Sequence, residues 1–176
     1  MARRGSIRLC LLGLALMVPG ATPAMGQAAA PAPGIEHSRG AGPQLVLAGR
    51  VTDAAHLMTA PERARLEETL AAFERRTRHQ LVVVTVPTLG GQDIATYARD
   101  LGNRWGIGRS GHDDGIIILV APVERTARIA VGLGLEARLT DAACQRVIDA
   151  HMLPAFAQGR FFDGLSAGLA AITAIF

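Results

Sequence analysis

The sequence predicts a mixed α/β fold, a three-layer α/β/α sandwich. Two β-branched runs, Leu81 to Val86 and Ile116 to Ala121, are nearly continuous in apolar residues, as strands buried on both faces are. A helical pattern lies between them, and strand, helix, strand in that order implies a right-handed parallel crossover. Only Pro122 to Arg125 separate the second run from Thr126 to Leu133, where Ile129, Val131 and Leu133 alternate with Arg128, Ala130 and Gly132. So short a connection permits only an antiparallel hairpin.

Each element can be justified in chain order. Arg3, Arg4 and Arg8 precede the apolar run Leu9 to Val18, which gives way to small residues around Gly26 and Ala28. A basic start, an apolar stretch too short to span a bilayer and a small-residue end describe a secretory signal peptide, residues 1–27, cut after Gly26 or Ala28. Pro19, Gly20 and Pro23 interrupt the run too early for a stable spanning helix. Residues 28–43 are rich in Ala, Pro and Gly without apolar periodicity and read as a flexible tether. The folded domain is expected over 44–176, with no transmembrane segment in the mature chain.

Thr59-Ala-Pro-Glu62 has the spacing of a capping box, and Leu66, Leu70 and Phe73 follow at helical intervals, so a helix is predicted over about 60–77. Gly90-Gly91 breaks the chain after the first strand. Ile94, Tyr97, Ala98, Leu101 and Trp105 then recur every three or four residues, which makes a second helix and places Trp105 in the core. The glycine-punctuated stretch 106–115 is a loop. Thr140-Asp141 opens a helix expected to stop before Pro154, and Leu165, Leu169, Ile172 and Ile175 mark the last helix, about 162–175.

Charge and cysteine content exclude several functions. The chain has 18 basic and 15 acidic residues, but three of the arginines leave with the leader, so the mature domain is balanced at 15 against 15. That leaves no electrostatic footprint for nucleic acid. All basic residues are arginine. Cys10 lies in the leader, so Cys144 alone remains and no internal disulfide forms; it reads as a small buried residue, with no His or Cys close in sequence to activate it. The core must supply the stability, and a composition 49% hydrophobic allows it.

Two motif matches fail on context. Gly164-Leu-Ser166-Ala-Gly168 imitates the hydrolase elbow, which needs a strand before the serine and a triad histidine after it; here the serine lies in a periodic helix and the last histidine is His151. Gly132-Leu-Gly134-Leu-Glu-Ala137 imitates a dinucleotide fingerprint, yet no parallel strand follows. The five histidines, at 37, 56, 79, 112 and 151, lack zinc-site spacing, and only His112 has interesting neighbours.

The hairpin carries more. Centred between Val123 and Glu124, it opposes residues whose numbers sum to about 247. Asp114 then faces Leu133 and Asp113 faces Gly134, so Asp113, Asp114 and Glu136 share one sheet edge, with Asp141 beginning a helix nearby. Carboxylates gathered on glycine-rich loops repel unless something positive lies between them. A hard cation, calcium or magnesium, held by Asp113, Asp114, Glu136 and Asp141 satisfies that requirement. The alternative is neutralisation by Arg109, Arg128 or Arg138, with Asp141 complementing a helix dipole.

Taken in order, Val51-Thr-Asp53, the capped helix, Gln80-Leu-Val-Val-Val-Thr-Val, Tyr97 to Trp105-Gly-Ile-Gly108, Asp114-Gly-Ile-Ile-Ile-Leu-Val-Ala, Arg128-Ile-Ala-Val-Gly-Leu-Gly-Leu-Glu136 and Leu139-Thr-Asp141 resemble the TPM domain, also called the TPM phosphatase domain. The resemblance spans about Val51 to Ile175. It implies a Rossmann-like α/β/α sandwich in an exported bacterial or thylakoid-lumen protein, the latter concerned with photosystem II repair. It also implies divalent-cation binding in some members and acid phosphatase activity in others. Asp113, Asp114, Glu136 and Asp141 match the family's acidic positions. Asp53 matches its early Val-x-Asp, and the expected topology makes it a turn or cap residue.

Two functions follow as expectations. One is a periplasmic or secreted cation-binding module that assists assembly or turnover of envelope or membrane-associated proteins. The other is a metal-assisted phosphomonoester hydrolase in which Arg109 or Arg128 meets the phosphoryl oxygens. No D-x-D-x-T, C-x5-R or R-H-G nucleophile motif is present.

Overall fold

Val51 to Asp53, a run too short for any periodicity to announce, forms the first strand of a four-stranded sheet. The computed structural model of the chain describes residues 45–176; the leader and tether read from residues 1–43 lie outside them. In sequence order the sheet comprises β1 (Val51–Asp53), β2 (Gln80–Thr85), β3 (Gly115–Ala121) and β4 (Thr126–Val131), and the strands lie side by side in that same order. β1, β2 and β3 are parallel, while β4 returns antiparallel to β3. The hairpin register is the one expected: Ile116 pairs with Val131 and Ala121 with Thr126.

α1 (Ala60–Thr77) begins as the capping box predicts. The Glu62 carboxylate accepts hydrogen bonds from the Thr59 amide and hydroxyl, both at 2.7 Å. α2 (Ile94–Trp105) starts at Asp93, whose side chain accepts from the Thr96 amide at 2.9 Å, and ends at Gly106, with a φ of 62°.

The third helical stretch departs from expectation at Pro154. α3 (Asp141–Val147) continues through a π-helical turn (Ile148–Met152) into α4 (Leu153–Phe156), so the chain stays helical past the proline. Proline lacks an N–H, and its ring collides with the carbonyl four residues back in a regular helix. The wider turn, in which the Leu153 amide bonds to Ile148 O, is inserted directly before it; such one-turn insertions relieve local strain in a helix. α5 (Phe161–Thr173) completes the domain. Among the described residues no helix is long and apolar enough to cross a membrane.

Side-chain alternation along β2 and β3 splits the core in two. Leu81, Val83, Ile116, Ile118 and Val120 pack with α1, α3 and α5, around Leu66, Leu70, Val147, Leu165 and Leu169. Val82, Val84, Ile117 and Leu119 pack beneath α2, the one helix on that side among the described residues, through Ala98 and Leu101. Trp105, expected in the core, is half-buried against this second cluster, and its indole N–H donates to Leu45 O at 3.3 Å.

Gly164 and Gly168 explain the false hydrolase motif. A Cβ on Gly164 would lie 2.5 Å from the Phe156 ring and one on Gly168 would lie 2.7 Å from Met152 Cγ. These glycines let α5 approach the π-turn and α4, and Ser166 lies inside that helix.

Candidate functional site

The loop before β3 and the turn after β4 are joined through their main chains. Gly132 N donates to Gly115 O at 2.8 Å and Gly134 N to Asp113 O at 3.0 Å, which extends the hairpin register as far as the acidic pair. Contact this close requires glycine. A Cβ on Gly132 would stand 2.0 Å from Asp113 O, and one on Gly134 2.0 Å from His112 O. Asp113 takes a left-handed φ of 47°, a conformation that aspartate tolerates better than most side chains.

The side chains of this region part company. Asp114 is buried at the start of β3, where its carboxylate accepts from Arg109 N and Nε, both at 2.7 Å, and from Arg109 Nη2. His79 Nδ1 lies 3.1 Å from the same carboxylate. Burial by itself would raise the Asp114 carboxyl. The hydrogen bonds from the Arg109 side chain and amide and from His79, together with the guanidinium charge, outweigh it and hold the group well below the usual carboxylate range. Asp113 and Glu136 are exposed. Asp141 is exposed at the first residue of α3 and accepts from Arg128 Nη2 at 2.8 Å.

The four carboxylates therefore share a sheet edge but do not form one cluster. Among the described residues no group of three or more His, Cys, Asp or Glu side chains is placed to hold a metal ion. Arg109 neutralises Asp114 and Arg128 neutralises Asp141, whereas Arg138 stacks over the Phe176 ring at 5.3 Å. What remains for a hard cation is Glu136 and the Asp141 Oδ2 that Arg128 does not engage, oxygen donors that line a common cleft.

That cleft, about 490 Å³, lies between α2, the α2-facing side of β4 and the segment 132–141. Arg99 and Asn103 of α2 and Arg128 of β4 line it with Glu136, Thr140 and Asp141. Arg128 Nε is buried there with no hydrogen-bond partner among the described residues. Such a donor can be satisfied by water or by an acceptor that enters the cleft.

Spacing gives no signal for His79, and His112, the histidine beside the acidic pair in sequence, turns its ring to Ser110 O at 3.2 Å. The pairing of Gln80 with Gly115 sets residue 79 beside residue 114. That relation exists only once the parallel register is known. Gln80 itself accepts from Gly108 N at 2.9 Å, tying the loop to β2. At the other end of the strands, Asp53 accepts from the Leu57 and Met58 amides, both at 3.0 Å, and from the Thr85 hydroxyl at 2.5 Å, so it caps the turn after β1. Cys144 is buried; burial, with the nearby Asp141 charge, pushes its thiol up to about 11, which keeps it protonated and unreactive at neutral pH.

A four-stranded mixed sheet with this glycine-locked acidic loop defines the class of protein. The model of the TPM domain matches residues 51–175, and the chain belongs to that family. The N-terminal domain of a P. gingivalis protein, solved by solution NMR, is similar at 29% identity with a TM-score of 0.66, over 71% of this chain and 80% of that one. The N-terminal domain of a Corynebacterium glutamicum protein shares the fold at 17% identity and TM-score 0.59, over 73% of this chain and 80% of the other. A protein of the psychrophilic bacterium Bizionia argentinensis does so at 20% identity and TM-score 0.59, over 67% and 80% respectively. No curated protein matches the chain.

Proposed function

We propose that this chain is an exported, noncatalytic binding module of the bacterial envelope that holds calcium or magnesium and assists assembly or turnover of envelope proteins. The observation that carries the reading is a cleft whose wall sets the carboxylates of Glu136 and Asp141 beside Arg128, whose Nε makes no hydrogen bond among the described residues. The leader-like residues 1–27 support export to the periplasm or beyond it.

In this reading Glu136 and Asp141 would hold the cation, with water completing its shell. When bound, the cation supplies positive charge at the acidic wall of the cleft. Arg128, tethered to Asp141 through Nη2, offers its Nε to an anionic or carbonyl group of the partner, and Arg99 adds a second guanidinium at the same cleft. Asp114 lies outside this chemistry. With Arg109 and His79 it keeps the loop before β3 in shape.

Neither Cys144, whose thiol is held protonated, nor Ser166, within α5, lines the cleft. Isothermal titration with calcium and with magnesium tests the proposal. Heat of binding should disappear in Asp141→Asn with Glu136→Gln and survive in Asp113→Asn. Absence of binding by the native protein overturns the cation assignment. Hydrolysis of a generic phosphomonoester that is lost in Arg128→Gln would make the protein a phosphatase instead.

A further inference from the structure

A second groove, about 430 Å³ and sharing no lining residue with the cleft, opens between the C-terminal turn of α1, the start of β2 and the loop before β3. We propose that it binds a phosphate-bearing anion. Four arginines line it from three separate stretches of chain: Arg50 just before β1, Arg75 and Arg78 at the end of α1, and Arg109 in the loop.

The helix dipole accounts for basic residues in the last turn of α1. It does not account for Arg50 or Arg109, which the fold brings in from elsewhere. Those two guanidiniums are oriented by carboxylates. Arg50 bonds Glu74 through Nε at 2.8 Å and Nη2 at 2.7 Å, and Arg109 bonds Asp114 through Nε and Nη2, so Nη1 of each lies outside these pairs. Arg75 and Arg78 make no ion pair among the described residues. Four guanidiniums against the carboxylates of Glu74 and Asp114 leave an excess of positive charge. It stands out in a chain whose basic and acidic residues balance as a whole once the leader arginines are set aside.

Arginine's planar fork matches tetrahedral oxyanions, and a phosphate has enough oxygens to engage several forks at once where a carboxylate satisfies one. The groove is compact and a nucleic-acid backbone needs an extended basic track, so the ligand is a discrete phosphate group, free or on a lipid headgroup.

Titration of the full chain with pyrophosphate, and flotation with phosphatidylglycerol against phosphatidylcholine vesicles, tests the assignment. Arg75→Gln with Arg78→Asn should weaken binding by about tenfold or more. Both positions are exposed, and asparagine tolerates the left-handed φ of 63° at Arg78, so the fold should persist. If that pair lowers the unfolding midpoint, Arg75→Gln alone must show the same direction. Arg65→Gln with Arg125→Asn removes equal charge elsewhere and should leave binding unchanged. Pyrophosphate binding lost in the groove variant identifies a soluble phosphate; response to the anionic vesicles alone identifies a headgroup. The proposal fails if the native protein binds neither probe, or if both charge-matched variants lose affinity equally.

Discussion

The two faces of the sheet are covered unequally. One buries twenty residues against α1, α3, the π-turn and α5; the other buries nine beneath α2 alone, among the described residues. Both faces are read from the same alternating strands, so the difference does not arise in the strands. It arises in the number of helices available to each side. Where helices are plentiful the face closes, with glycines at 164 and 168 drawing α5 against its neighbours. Where only α2 is present, the flank of β4 stays open as the cleft that holds Arg128. The candidate site is thus the consequence of an under-covered face.

Truncating one leucine on each face sharpens that contrast most. Leu70→Ala, on the closed face, should cost about 4 kcal/mol, because tightly packed neighbours cannot collapse into the cavity. Leu101→Ala, under α2, should cost nearer 2.5 kcal/mol, because the adjoining cleft lets the site relax. Urea midpoints measure both. Equal losses would show the two faces to be packed alike and undo the comparison.

The edge of the closed face gives the next effect. Asp114→Asn should destabilise by about 2 kcal/mol, the scale of hydrogen bonds to a charged group, moderated by solvent because the Arg109 side chain is 47% exposed. The sign with pH follows from the lowered carboxyl. Above the ordinary carboxylate pKa of about 4 the contribution is fully present, and it is lost as pH falls below that value toward the depressed folded one. Native protein should therefore lose stability on acidification more steeply than the variant. Parallel acid profiles would mean that Asp114 makes no net contribution through its charge.

Trp105 probes the open face at its boundary. Being half-buried, it should cost only about 1.5 kcal/mol on truncation to alanine, less than the roughly 3–5 of an enclosed aromatic. A loss in the upper range would show α2 to be better covered than its exposure indicates. The smallest effect concerns Cys144, which should resist iodoacetamide at neutral pH in the native state and react once unfolded. Rapid native alkylation would mean that the closed face opens readily around α3.

Local signals in the chain were enough for most elements. The capping box at Thr59 and Glu62 placed α1 between Ala60 and Thr77, because a helix start is a contest among a few neighbouring donors and acceptors. The four-residue connection determined the hairpin and its register, and with them the meeting of Asp113 with Gly134. β1 was invisible since three residues have no period, and it becomes a strand only by pairing with β2. The helix end at Pro154 was misread because a π-turn admits the proline, and no residue type announces such a turn.

The site divides along the same line. Sequence alone determined which acidic residues lie near one sheet edge, because backbone register follows from local chain geometry. Only the tertiary structure decided where their side chains went. Asp114 turned to Arg109 and to His79, which reaches it through the parallel pairing of β2 with β3. Asp141 met Arg128, and Arg50 met Glu74 at the mouth of a different groove. Partner choice among charges depends on distances across elements far apart in the chain, and a carboxylate pairs with whichever guanidinium the fold carries to it at least desolvation cost.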